Sequence, residues 1–110
     1  MADIETIAPP VVMSRDEVLA TLRRHTSEIR GFGATALYLF GSAARDEMTA
    51  ASDVDVFIDF DHDGSFSFVE WIELKEYLAN ILRRDVDFTS RGGLHPRLRD
   101  RIIGSAIQVF

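Results

Sequence analysis

Apolar residues recur every three or four positions in two segments of the chain, which is the spacing of one buried helix face. The first segment runs from Ser14 to Gly31 and the second from Ser67 to Arg83. Each begins with a serine that is followed three residues later by a glutamate, as in a capping box. We therefore predict one continuous helix in each segment, with His25 on the buried stripe of the first as a partly buried structural residue.

Three shorter runs have the composition or the alternation of strands. Residues 34–40 are apolar on both faces, as expected of an inner strand that helices cover. Residues 53–60 alternate with period two, so that one face is apolar and the other carries acids. Residues 85–89 form a third, shorter run of the same kind. Because helices and short strands alternate, the sequence predicts a small α/β domain, although the directions of the strands cannot be read from it.

The two ends of the chain contain fewer sequence features that predict a helix or a strand. Pro96 stands where a further helix would begin, so we predict a last helix with Leu98 and Ile102 on its inner face. Residues 1–13 contain two prolines and no periodicity. We therefore expect an N-terminal lead-in at residues 1–13 and a single domain at residues 14–110, a length that suits one compact unit.

Composition narrows the classes of protein further. No apolar run approaches the length of a membrane span, and the acidic N-terminus lacks the features of a secretory signal. The sequence contains no cysteine, which rules out disulfides, thiolate metal ligands and cysteine nucleophiles. We therefore expect a cytoplasmic protein.

The net charge of −6 is unevenly distributed along the chain. Between Arg45 and Lys75 there are nine acids and neither lysine nor arginine. Asp53 and Asp55 lie two residues apart in a predicted strand, so their carboxylates share one face, with Cα atoms about 7 Å apart. Such crowding raises carboxyl pKa values unless a cation compensates, and two carboxylates suit one hard divalent metal ion.

The residues from Gly41 to Arg45, which we call the cradle, follow the first predicted strand and begin a short helix. Free N–H groups at the start of a helix, the permissive dihedral angles of Gly41 and the hydroxyl of Ser42 together form an anion site. Arg45 either reaches back to a phosphate or closes an ion pair with Asp46 or Glu47, and the sequence leaves both options open. The cradle is therefore a candidate phosphate site.

Ten residues separate Ser42 from Asp53, and this arrangement resembles the signature of the nucleotidyltransferase superfamily built on DNA polymerase beta-like cores. The sequence Gly-Ser-Ala-Ala-Arg, followed by Ser-Asp-Val-Asp-Val, is most similar to the motif of the smallest members of this superfamily, the minimal nucleotidyltransferase (MNT) domains. The resemblance extends from about Ser14 to Phe110. It implies a small polymerase beta-like nucleotidyltransferase fold with a short mixed sheet flanked by helices.

The resemblance also implies the site residues and the cofactors. Asp53, Asp55 and a third acid from the third strand would together bind two Mg²⁺ ions. The substrate would be ATP. Asp87 is chosen over Asp85 because its Val-Asp-Phe step matches the position of the family's third acid. The same three acids would be catalytic. The nucleotide-binding residues would be Gly41, Ser42 and Arg45.

MNT domains of this size are typically antitoxins of HEPN ribonuclease toxins, and some transfer AMP from ATP to a tyrosine of the toxin. The resemblance therefore implies a Mg²⁺-dependent transfer of AMP from ATP to a hydroxyl of a protein acceptor, the HEPN toxin, in a hetero-oligomer. A catalytically idle antitoxin that only masks the toxin stays open as an alternative. Neither a membrane nor a nucleic acid is expected as a partner. This chain departs from the family pattern at Asp46, where the family often has glycine. The aspartate adds negative charge near the place expected for the nucleotide.

A calcium-binding loop is a weaker alternative at residues 59–70. These residues match the EF-hand ligand pattern from Asp59 through Gly64 to Glu70. The residues before the loop alternate like a strand, however, where an EF-hand needs an entering helix. A turn rich in aspartate and followed by a capped helix explains the same residues.

Four arginines gather around the last predicted helix: Arg91, Arg97, Arg99 and Arg101. A solvated helix explains any one of them. As a group we interpret them as a docking surface for a negatively charged partner, since a basic surface steers such a partner during association.

Overall fold

A four-stranded sheet forms the centre of the molecule. The structure is a computed structural model that describes residues 13–63 and 66–110. The strands are β1 (Ala34–Phe40), β2 (Val54–Phe60), β3 (Val86–Ser90) and β4 (Ile107–Gln108). The helices are α1 (Arg15–Arg24), α2 (Thr26–Gly31), α3 (Gly41–Ala44), α4 (Phe68–Leu82) and α5 (Arg99–Ser105), with a 3-10 turn at Arg91–Gly93. None of the helices described is long and apolar enough to cross a membrane.

The sheet is mixed, with strands in the order β3-β2-β1-β4. Strand β1 is antiparallel to both of its neighbours, β2 and β4, whereas β2 and β3 are parallel. This confirms the predicted α/β class and its short mixed sheet flanked by helices. Strand β1 lies inside the sheet, as its apolar residues on both faces predicted. The expected lead-in lies outside the described residues except for Met13, so the domain boundary stays a prediction.

One face of the sheet contributes to the hydrophobic core. Val54, Val56 and Ile58 are fully buried on this face of β2. They belong to one core cluster with Leu74 and Leu78 of α4. Burying each such side chain contributes about 1.5–3 kcal/mol relative to leaving it exposed. Because side chains alternate along a strand, the acids of β2 must point to the opposite face.

The directions of the strands bring three segments together at one end of the sheet. Strand β1 ends where β2 begins, so that Phe40 pairs with Asp55. Strands β2 and β3 begin at the same end, so that Asp55 also pairs with Asp87. The cradle follows β1 without a gap as helix α3 and its C-cap. The phosphate-site candidate and the acids are therefore neighbours.

The prediction of one continuous first helix is wrong, because α1 and α2 meet at His25, whose φ of −107° and ψ of 19° are not helical. The Thr26 hydroxyl donates to the Arg23 carbonyl at 2.8 Å, and His25 Nδ1 lies 2.8 Å from the Thr21 carbonyl oxygen. Such side chain to backbone hydrogen bonds compete with helix continuation. His25 is half-buried with its ring edge-on to Tyr77, which agrees with a structural role.

The last predicted helix begins later than expected. Helix α5 starts at Arg99, and residues 96–98 form a turn. Leu98 is 44% exposed, so its predicted inward position is wrong. The N–H of Arg97 donates to Nδ1 of His95 at 3.2 Å, and this local side-chain bond favours a turn over a helix start.

Candidate active site

The first residue of the cradle, Gly41, lies against the carboxylate of Asp55. Gly41 has a φ of +70°, in the left-handed region that glycine adopts without steric cost. A Cβ at this position would overlap Asp55 Oδ2 and approach Asp55 Cγ to 3.0 Å. Two independent constraints therefore require glycine at the point where β1 turns into α3.

The carboxyl of Asp55 is half-buried and faces other negative charges. Its pKa is raised from the ordinary value of 3.8 to about 6, first by burial and then by the carboxylates of Asp87 and Asp53. The guanidinium of Arg45 lowers this pKa in part. Asp55 and Asp87 are also close enough for a protonated carboxyl of one to hydrogen-bond to the other. The site has an excess of negative charge that a cation would relieve.

The three predicted acids come from the beginnings of two adjacent strands. Asp55 in β2 and Asp87 in β3 are direct partners in the parallel register, whereas Asp85 precedes β3. Asp53 immediately precedes β2 and is exposed, as is Asp87. The structure thus brings Asp55 and Asp87 together and places Asp53 beside them at the end of a loop.

A divalent metal ion has suitable donors here but not a finished ligand set. Among residues 13–63 and 66–110, no three His, Cys, Asp or Glu side chains are grouped as metal ligands. The donor chemistry nevertheless fits Mg²⁺, which prefers carboxylate oxygens, and the crowding that raises the pKa of Asp55 is what such a cation relieves. A three-carboxylate site requires the side chains of Asp53, Asp55 and Asp87 to converge more closely than they do in this structure.

The charged residues at the end of the cradle have separate partners. Arg45 Nε donates to Glu47 Oε1 at 2.8 Å in an exposed ion pair, which contributes little to stability and is easily exchanged for another anion. Asp46 has a φ of +59°, and its Oδ1 accepts a hydrogen bond from the N–H of Arg15 at 2.7 Å. Asp46 therefore caps the N-terminus of α1, where negative charge is favourable. Its charge is already engaged away from the cradle.

Clefts adjoin the site on the cradle side and on the β3 side. A cleft of about 260 Å³ on the cradle side is lined by Phe40, Gly41, Arg45, Leu98, Arg101, Ile102 and Ser105. A cleft of about 400 Å³ on the β3 side is lined by Asp53, Lys75, Glu76, Ala79, Asp85, Val86 and Asp87. The first combines apolar and basic side chains, whereas the charged residues of the second are four acids and one lysine. The site can thus be approached from two sides.

The predicted calcium loop does not have the structure of an EF-hand. Asp59 lies in strand β2 and accepts two hydrogen bonds from the guanidinium of Arg91, at 2.8 and 3.0 Å. Glu70 completes the capping box of α4 with Ser67. Gly64 lies outside the described residues. Two of the expected calcium ligands are therefore engaged in other contacts.

The four arginines near the C-terminus do not act as one group. Arg91 pairs with Asp59 and lies over an aromatic ring at 5.1 Å. Arg99 donates to two backbone carbonyls at 3.1 and 3.4 Å. Arg97 and Arg101 are exposed, and Arg101 lines the cleft on the cradle side. The docking surface expected from the sequence is therefore reduced to these last two residues.

One residue near the site carried no recognisable sequence signal. Arg84 follows α4, and its Nη1 donates to three backbone carbonyls in the loop before Asp53, at 3.0 to 3.2 Å. An arginine just past the end of a helix is ordinary in a sequence. Its acceptors are 32 to 35 residues away along the chain, so no local pattern could have predicted the contact.

Comparison with known proteins agrees with this geometry. The family model described as "Polymerase beta, Nucleotidyltransferase" matches residues 26–110. The protein adenylyltransferase MntA of Thermococcus cleftensis is 30% identical over 99 residues, which are 89% of this chain and 98% of that protein. A solved structure that is provisionally described as a minimal nucleotidyltransferase is 33% identical, with a TM-score of 0.66 over 81% of this chain and 93% of that one.

A more distant structure shares the fold. It is the complex of a Shewanella oneidensis HEPN toxin with MNT antitoxin, and the matched chain is 19% identical with a TM-score of 0.59, over 84% of this chain and 71% of that one. The family model and the nearer relatives extend over most of the chain, including the cradle and all three acids. The chain therefore belongs to the polymerase beta nucleotidyltransferase family, among its minimal nucleotidyltransferases.

Proposed function

We propose that this protein is a Mg²⁺-dependent protein adenylyltransferase that transfers AMP from ATP to a hydroxyl of a HEPN toxin, and that it acts in the cytoplasm as the antitoxin. The observation that carries the proposal is the direct pairing of Asp55 with Asp87 beside Gly41. It provides two adjacent carboxylates, of which that of Asp55 is half-buried, at the turn where a strand enters the cradle. Metal-binding carboxylates beside a phosphate site are the parts that nucleotidyl transfer requires.

The cradle is suited to hold the triphosphate of ATP. The first N–H groups of α3 have no acceptor within the helix, and the hydroxyl of Ser42 is one further donor. Arg45 would exchange its exposed partner Glu47 for a phosphate oxygen. Phe40 and Ile102 provide apolar surface in the adjoining cleft for the rest of the nucleotide.

The acids are suited to hold the metal ions and to take up a proton. Asp53, Asp55 and Asp87 would bind two Mg²⁺ ions, which when bound supply positive charge for the triphosphate and the leaving pyrophosphate. Asp87 lines the cleft on the β3 side, so it would accept the proton of an acceptor hydroxyl that enters there.

The reaction is a displacement at the α-phosphorus of ATP. The acceptor oxygen forms a bond to phosphorus while the bond from phosphorus to the bridging oxygen of pyrophosphate breaks, and the hydroxyl proton passes to Asp87. Entry of ATP on the cradle side and of the acceptor on the β3 side would place the attacking and leaving oxygens on opposite sides of phosphorus. The two clefts therefore suit an in-line reaction.

Two similar proteins support the activity and the partner. The relative from Thermococcus cleftensis is named a protein adenylyltransferase. The Shewanella oneidensis complex contains a tri-AMPylated HEPN toxin together with MNT antitoxin. An antitoxin that only masks its toxin would bind the same partner, but it would not need the carboxylate pair of Asp55 and Asp87.

The test of this function uses [α-³²P]ATP, Mg²⁺ and a purified HEPN protein as the acceptor. The wild type should label the HEPN protein and release pyrophosphate, whereas Asp55→Asn should do neither. Asp61→Asn is the matched control, because it makes the same change of charge at an exposed residue outside the site. A neutralising complex that forms without labelling would reject the enzymatic function and leave the masking antitoxin.

A further inference from the structure

The loop that leads into β2 is held by a single side chain from the segment that leads into β3. Nη1 of Arg84 donates to the carbonyls of Thr49, Ala50 and Ser52 at 3.2, 3.2 and 3.0 Å. Hydrogen bonds from a charged donor are stronger than those between neutral groups. One guanidinium therefore holds three backbone carbonyls of the single turn that lies just before Asp53.

The residues before and after Asp53 form hydrogen bonds with two consecutive residues of the chain, Arg84 and Asp85. On its N-terminal side, the carbonyl of Ser52 accepts from Arg84. On its C-terminal side, the N–H of Val54 donates to the carbonyl of Asp85 at 3.0 Å. The backbone of Asp53 is thus held from both sides by the two residues that precede β3, the strand that carries the third acid.

The loop has internal hydrogen bonds, but these determine only its shape. The N–H of Thr49 donates to Ser52 Oγ at 2.8 Å, and the N–H of Ser52 donates back to the Thr49 carbonyl at 3.1 Å. Both bonds lie within the turn itself. The three hydrogen bonds of Arg84, by contrast, join this turn to the segment between α4 and β3.

The electrostatics of the site make such an attachment necessary. Asp53 immediately precedes β2 and Asp55 lies two residues further on, so their like-charged carboxylates repel each other. Asp53 is exposed at the end of a loop, and an unrestrained loop would relieve the repulsion by moving its carboxylate into solvent. A fixed backbone keeps the carboxylate near its partners.

We propose that Arg84 is a positioning residue that sets the place of Asp53 relative to Asp55 and Asp87, an inference that rests on the proposed function of these acids. Arg84 would act through the backbone carbonyls that it holds, as a residue that positions the acid rather than one that takes part in the chemistry. Preorganised ligands bind more tightly because less freedom is lost on binding. Loss of Arg84 therefore weakens divalent-metal binding more than it weakens the fold.

The test compares Arg84→Met with Arg83→Met, which removes the neighbouring exposed arginine. Mn²⁺ binding is measured by electron paramagnetic resonance, and amide exchange at residues 52–54 is measured by mass spectrometry. Arg84→Met should bind Mn²⁺ about tenfold more weakly, as is typical when a supporting contact of a metal ligand is removed. Its amides at residues 52–54 should also exchange faster. Arg83→Met should match the wild type in both measurements.

Two further measurements separate positioning from stability alone. Millimolar methylguanidinium should restore Mn²⁺ affinity to Arg84→Met, because it can donate to the same carbonyls. Arg84→Lys keeps the charge with fewer donors and should fall between wild type and Arg84→Met, and it is the variant to use if Arg84→Met does not fold. Lower stability with wild-type Mn²⁺ affinity in either variant would overturn the proposal.

The outcome also separates this inference from the proposed function. Mn²⁺ affinity and amide exchange are read without ATP or the HEPN protein. If the wild type transfers no AMP but Arg84→Met still loses Mn²⁺ affinity, the enzymatic function fails and the positioning role stands. If transfer occurs and Arg84→Met binds Mn²⁺ normally, the positioning role fails alone.

Discussion

The carboxylate of Asp55 occupies the space in which a side chain on residue 41 would begin, so that Gly41 and Asp55 are in direct contact. The contact follows from strand pairing, because the last residue of β1 lies opposite Asp55. It joins the cradle to the half-buried acid in one rigid corner. A substitution at either residue should therefore displace the side chain or backbone of the other.

Gly41→Ala should lower the free energy of unfolding by about 2 kcal/mol, because alanine is strained at a φ of +70° and its Cβ would overlap Asp55. Gly104→Ala is the matched control, since beyond its chain neighbours and the backbone of its own helix α5 no described atom lies within 4 Å of the added Cβ. Alanine there should maintain or raise stability. Urea unfolding measures the free energy of unfolding of both variants. Equal values for the two would show that Asp55 is not held against Gly41.

Asp55→Asn should stabilise the metal-free protein at neutral pH. The folded state raises the pKa of Asp55 to about 6 by burial and by the charges of Asp87 and Asp53, so the ionised carboxylate is disfavoured there. The stabilising effect of its proton is complete below pH 3.8 and is lost as the pH rises through about 6. After solvent screening of this half-exposed group, we expect a gain of about 1 kcal/mol at pH 7.5.

The measurement is urea unfolding of wild type and Asp55→Asn in EDTA at pH 7.5 and at pH 4. The gain should be present at pH 7.5 and much smaller at pH 4, where the wild-type carboxyl in the folded protein carries its proton. Asp61→Asn should show no comparable gain at pH 7.5. A destabilised Asp55→Asn at pH 7.5 would mean that the carboxylate has favourable partners that outweigh its burial.

Asp46→Asn should leave ATP affinity unchanged within about twofold, because the charge of Asp46 is engaged by the N–H of Arg15. Asparagine also tolerates a positive φ, so the turn should survive. Isothermal titration with ATP and Mg²⁺ measures the affinity. A severalfold gain in affinity would show that Asp46 repels the nucleotide, as the sequence alone suggested.

Asp87→Asn should reduce AMP transfer by at least about 100-fold while keeping much of the nucleotide binding, since it removes a proton acceptor at the acceptor side of the site. Asp85→Asn should have a mild effect, because Asp85 precedes β3 and is not the register partner of Asp55. Rates of pyrophosphate release and ATP titration distinguish the two. Reversed effects would mean that the third acid has been assigned to the wrong residue.

The local parts of the fold could be predicted from the sequence because their causes act within a few residues. The capping boxes at Ser14 and Ser67 are both present in the structure, and they begin α1 and α4 as predicted. The break at His25 was missed because it depends on particular side chain to backbone bonds that the apolar spacing does not reveal. The spacing of apolar residues indicates which face of a helix is buried, but it does not indicate whether one turn of that helix is interrupted.

The arrangement of the site was less accessible to sequence reasoning. Asp55 and Asp87 meet through the register of two parallel strands, which depends on contacts between distant segments, and only the family resemblance ranked Asp87 above Asp85. Arg84 was missed for the same reason, since its acceptors lie in another loop. Asp46 was recognised as unusual, but its partner in α1 could not be seen without the fold.

The most direct test of the central claim is the intact mass of the HEPN protein after incubation with this protein, ATP and Mg²⁺. Wild type should add AMP to the HEPN protein, whereas Asp55→Asn should add none and Asp87→Asn at most about one hundredth as fast, although both variants remain folded. A HEPN protein that is bound and neutralised by the wild type but gains no AMP would contradict the enzymatic function. Full AMP addition by Asp55→Asn would contradict the proposed site, because the carboxylate pair could then not be the catalytic centre.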